Sequence, residues 1–80
     1  MEHINLEIFT PFVQSILSRS VSDDFAKKIT EIEGFMERVR EIVESTSAWK
    51  NGYVIGADDV DMAIGRTIFE KLKILEGLRK

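Results

Sequence analysis

Between residues 25 and 43 the apolar side chains recur at intervals of three and four, at Phe25, Ile29, Ile32, Phe35, Met36, Val39, Ile42 and Val43. That period matches one face of an α-helix and excludes a strand, whose side chains alternate every second residue. Ser22 precedes the stripe as an N-cap, and Asp23 and Asp24 place carboxylates where a helix N-terminus carries partial positive charge. The spacing therefore predicts one long helix of about five turns. The opposite face carries Lys27, Lys28, Glu31, Glu33, Glu37, Arg38, Arg40, Glu41 and Glu44. It reads as a solvated face, with Lys27/Glu31 and Arg40/Glu44 at the spacing of helical ion pairs.

Only one Pro interrupts the 80 residues, and the same periodicity predicts helices on either side. Thr10 and Pro11 suit an N-cap and a first helical position, followed by Phe12, Val13, Ile16 and Leu17 on one face; Asn5 offers an earlier start that takes in Leu6 and Phe9. The hydroxyl-rich residues 18–22 break this helix, because Ser side chains compete for backbone hydrogen bonds. Asn51-Gly52 signals a turn, and Tyr53-Val54-Ile55 is a short extended segment with too few residues for a sheet. Trp49 and Tyr53, flanking that turn, are expected to pack at the edge of the core rather than to hold a ligand. Gly56 and then Ala57-Asp58-Asp59-Val60 mark the start of a last helix with Val60, Ala63, Ile64, Ile68, Leu72, Leu75 and Leu78 on its apolar side. The expected fold is all-α: one domain over residues 1–80, a small bundle of three to four helices with a short extended segment before the last.

Without Cys, neither disulfides nor thiolate zinc can stabilise so short a chain, so apolar packing must. The formal net charge of −3 has the wrong sign for a protein that binds phosphate backbones by bulk charge, which argues against a nucleic-acid partner. The apolar runs are too short to span a membrane and the start lacks an export signal, so the cytoplasm is the expected compartment. The scattered glycines form no phosphate-cradling loop, and the serines lack a positioned base, His3 lying on a terminus expected to be loose. Asp58, Asp59 and Asp61 lack the spacing of a calcium loop and read as helix-capping acids. No catalytic or metal-binding residue is expected.

The segment Gly52-Tyr53-Val54-Ile55-Gly56-Ala57-Asp58-Asp59-Val60-Asp61-Met62-Ala63-Ile64, a short extended stretch, a cap and then an acid-Asp-Val and Ala-Ile pattern, resembles the opening of the last helix in the lid domains of AAA+ ATPases. Its continuation through Ile68-Phe69 and Ile74-Leu75-Glu76 to a basic end is similar, more narrowly, to the Lon-related, LonB-like ATP-dependent proteases. Upstream, Ser18-Arg19 and the stretch through Ile32, Phe35, Val39, Arg40 and Glu41 resemble the same family's long lid helix. Gly56 stands where the family places a Thr cap, and Glu31 where that long helix carries an Arg.

The resemblance implies the lid subdomain of a larger ATP-dependent serine protease, coupling nucleotide state to subunit motion. The fragment itself would be non-catalytic and free of cofactor; ATP and magnesium belong to the parent. Lys27 and Lys28 are the implied contacts to nucleotide phosphate or a neighbouring subunit, and Arg66 the implied interface residue. Partners would be the other domains of the parent, neighbouring ring subunits and, through the parent, unfolded protein. The alternatives are a freestanding helical adaptor that dimerises through the stripe, or the lid of another AAA+ machine. Charge is unevenly placed: residues 1–64 hold twelve acids and six bases, or −6, and residues 65–80 hold two acids and five bases, or +3.

Overall fold

Each helix starts where a short polar side chain or a glycine frees the backbone to turn. The computed structural model describes residues 3–79, with side chains described from residue 3 to residue 72. Asn5 caps α1 (Leu6–Leu17) by accepting the Glu7 N–H at 2.9 Å, so the earlier of the two starts is used. Pro11 consequently lies inside the helix rather than at its first position. The hydrogen bond it cannot donate falls on a face where Glu7 and Pro11 are both exposed, and water can serve the orphaned carbonyl. Ser22 caps α2 (Asp23–Thr30) through the Phe25 N–H, and Thr46 caps the single turn α4 (Ser47–Lys50) through the Trp49 N–H. The last helix is α5 (Ala57–Arg79).

The predicted long helix is two helices. α2 stops at Thr30, and α3 (Phe35–Glu44) begins after Gly34, whose φ of 77° lies in the left-handed region. A continuous helix cannot pass through that conformation, and glycine enters it without the steric cost a Cβ brings. The described residues thus form five helices, including the short α4, in an all-helical bundle.

The break also divides the apolar stripe. In α3, Phe35, Met36, Val39, Ile42 and Val43 are all buried. α2 instead buries Ala26 and Thr30 against α1, while its Phe25 and, in the turn that follows it, Ile32 face outward at about half exposure. The small side chains allow close approach, and Gln14 Nε2 donates to Thr30 Oγ1 at 3.0 Å across the contact while Thr30 donates to the Lys27 carbonyl. The buried hydroxyl is thereby satisfied.

One core results. Val13 from α1, Val39 and Val43 from α3 and Val60 and Ala63 from α5 have no exposed surface, and Phe35 and Ile64 complete the contact. α5 packs chiefly on α3, and α1 on α2. Buried Thr67 donates to the Ala63 carbonyl one turn earlier, so α5 inserts a polar residue without an unsatisfied hydroxyl. Leu75 and Leu78, expected on this face, lie outside the residues whose side chains are described.

Residues 53–56 are neither helix nor strand. Gly52, at φ 75°, turns the chain so that Tyr53 is 70% exposed; it does not pack at the core edge, whereas Trp49 is half-buried. Two glycines separate the conformational requirement from the spatial one. Gly34→Ala forces a Cβ into left-handed backbone and is expected to destabilise by about 1–2 kcal/mol. Gly65 sits in α5 with open space where a Cβ would stand, and Gly65→Ala is expected to stabilise by about 0.5–1 kcal/mol. Urea titrations of both variants check this pair; equal effects of the same sign would contradict the break at Gly34.

Candidate functional site

Because α2 and α5 both pack on their neighbours and not on each other, an apolar groove of about 450 Å³ opens between them. Phe25, Ile29 and Ile32 form one wall and Ile64, Ile68 and Leu72 the other, over a floor that includes Ile16 and Phe35. The walls follow from the split stripe: the α2 half of it lost its place in the core when the helix broke. Two charged groups mark the α5 wall, Asp61 and Lys71. Lys71 Nζ donates to the Glu33 carbonyl at 3.3 Å, tying α5 to the turn between α2 and α3. Nothing in the sequence periodicity alone announced this groove; the signal that could have was Gly34 interrupting the stripe.

A second, more open hollow of about 410 Å³ lies between α1 and the segment before α5, lined by Ile4, Phe9, Phe12, Trp49 and Ile55. Phe9 and Phe12 meet there as tilted rings with centroids 6.3 Å apart.

The residues singled out from the sequence do not converge. Lys27 and Lys28 are exposed in the last turn of α2, and no ion pair within the described residues engages either side chain. The expected Lys27/Glu31 pair does not form, because Glu31 ends α2 as its C-cap. Arg66 lies on α5 and approaches Glu70 at 3.9 Å. Glu70 is engaged more closely by Arg38 of α3, with Nε and Nη2 both donating at 2.9 Å. Those hydrogen bonds lower the Glu70 pKa, against partial burial, and raise that of Arg38. Arg66 therefore belongs to a cluster that clamps α3 to α5, away from α2.

A further contact was missed because it joins distant parts of the chain. Glu44 accepts the Ile4 N–H at 2.7 Å and His3 Nδ1 lies 2.8 Å from its other oxygen, so His3 and Ile4 are latched to the end of α3. The Arg40/Glu44 pair expected from spacing gives way to this latch, with Arg40 donating to the Ile4 carbonyl at 3.4 Å. Burial alone would raise the Glu44 pKa, but the Ile4 N–H, His3 and Arg40 together hold it below the ordinary 4.5.

Asp59 Oδ2 accepts the Gly56 N–H at 3.3 Å, the capping role read from the sequence. Among the described residues no group of three or more His, Cys, Asp or Glu side chains converges to hold a metal. No helix among them is long and apolar enough to cross a membrane. Compared with protein families, with curated proteins and with solved structures, the chain finds no match.

The two lowered carboxylates set a pH dependence. A carboxyl group held more acidic in the folded state lends stability above its unfolded pKa and withdraws it as pH falls through the folded value. Urea midpoints are accordingly expected to drop between about pH 5 and pH 2, and the double variant Glu44→Gln/Glu70→Gln to flatten that drop. An unchanged profile would show that neither contact is made.

Proposed function

We propose that this chain acts as a lid-type helical domain of an ATP-dependent, Lon-related protease, transmitting movement rather than performing chemistry. One observation carries the reading. The segment that bears the resemblance folds as a single device: Asp59 closes back on Gly56, and Val60, Ala63 and Ile64 anchor the start of α5 in the core. A helix fixed at one end by its cap and core residues is suited to pass a rigid-body rotation along its length. In this reading ATP and magnesium bind elsewhere in the parent protein. Lys27 and Lys28, free in solvent at the end of α2, meet nucleotide phosphate or a neighbouring subunit, and Arg66 sits near an interface. Unfolded protein is handled by the parent, in the cytoplasm. The broken stripe departs from the family's long helix, so the support comes from the C-terminal third.

A second reading is favoured by the groove: a helical adaptor that works by docking another helix between α2 and α5.

The encoding reading frame tests the first. A Gly-rich phosphate loop upstream and a serine protease segment downstream are expected; a frame holding these eighty codons alone would overturn it. In the intact protease, Lys27→Ala/Lys28→Ala is expected to slow ATP-driven proteolysis about tenfold or more, the worth of a hydrogen bond to a charged group. Undiminished proteolysis would remove the phosphate and subunit roles from the pair.

A further inference from the structure

Most surface helices show water a polar face, and one apolar all round is built to be surrounded. Between residues 60 and 72, α5 is apolar on its inner side and on part of its outer side, with Asp61, Arg66, Glu70 and Lys71 as its charged residues. Its inner side buries Val60, Ala63, Ile64 and Thr67. Its outer side exposes Met62, Phe69 and Leu72, each more than half exposed, beside a bare Gly65. Glu70 turns toward α3 through Arg38, and Arg66, largely exposed, flanks these apolar residues.

Along the groove side of α5, Asp61, Gly65, Ile68 and Leu72 follow one another at spacings of four, three and four, the seam of a coiled coil. The seam is complementary to itself when reversed. With a two-fold axis between residues 66 and 67, Gly65 falls opposite the partner's Ile68, and Asp61 opposite the partner's Leu72 with the partner's Lys71 alongside. Asp61 and Lys71 are ten residues, about 15 Å, apart, so reversal brings opposite charges together at both ends of the contact. Parallel alignment would set like against like. Gly65, with open space on its side-chain side, provides the notch for Ile68. Phe25 and Ile32, half exposed on the α2 wall, close over the inserted helix.

We propose that a second copy of this chain fills the groove, its α5 antiparallel to the first, in a two-fold symmetric dimer. The contact is isologous, each copy giving and receiving the same helix. It is independent of the lid reading, since neighbours in a ring meet through unlike surfaces, and its failure would leave that reading where it stands.

Sedimentation equilibrium on the whole chain, from micromolar to millimolar concentration, reads the outcome. The wild type is expected to reach twice the chain mass. Gly65→Lys is expected to stay monomeric with helix content unchanged, because its side chain enters open space in the monomer and the centre of the seam in the dimer. Asp61→Lys is expected to weaken the dimer about tenfold by opposing like charges, Lys71→Glu to weaken it at least as much because it also loses the hydrogen bond to the Glu33 carbonyl, and the double variant to regain affinity over both. A wild type that remains monomeric overturns the proposal, as does Gly65→Lys dimerising like the wild type. A double variant weaker than both single ones overturns the antiparallel arrangement.

Discussion

The left-handed backbone at Gly34 decides how the apolar surface of this chain is divided. Without it, residues 23–44 would run as one helix and present a single stripe to a single neighbour. With it, α3 turns its large side chains into the core against α5, while α2 swings back on α1 through the small face of Ala26 and Thr30. Phe25, Ile29 and Ile32 are left without a covering element, and the groove between α2 and α5 is the direct consequence. Lys71 secures the turn from the α5 side by donating to the Glu33 carbonyl.

Around that division the remaining contacts fix distances between elements. The Arg38–Glu70 pair holds α3 to α5 with two hydrogen bonds, and the Gln14–Thr30 bond holds α1 to α2. Glu44 gathers His3 and Ile4 onto the end of α3. Such partly exposed ion pairs add little to stability individually. Their effect is to orient helices whose association is driven by the burial of Val13, Val39, Val43 and Val60.

Much of the helical content was legible in the sequence, because caps and periodicity act locally. Ser22, Asn5 as an alternative start, and the acids after Gly56 all mark helix beginnings that the structure uses. The broken stripe was not legible, since period alone registers no difference between one helix and two that happen to stay in phase. Gly34 was the available clue; a glycine inside a helix costs only about 1 kcal/mol, so its presence does not by itself demand a break. The latch at Glu44 and the clamp at Glu70 join residues more than thirty positions apart, and no local rule reports them. The groove was hidden for a related reason: Phe25 and Ile32 look like core residues until the position of α2 is known.

The groove between α2 and α5 exists only if the chain breaks between Thr30 and Phe35. Backbone NMR across residues 23–44 tests this most directly. Helical Cα shifts are predicted to stop at Thr30 and resume at Phe35, with coupling constants at Gly34 reporting positive φ. Uninterrupted helical shifts from Asp23 to Glu44 would contradict the account.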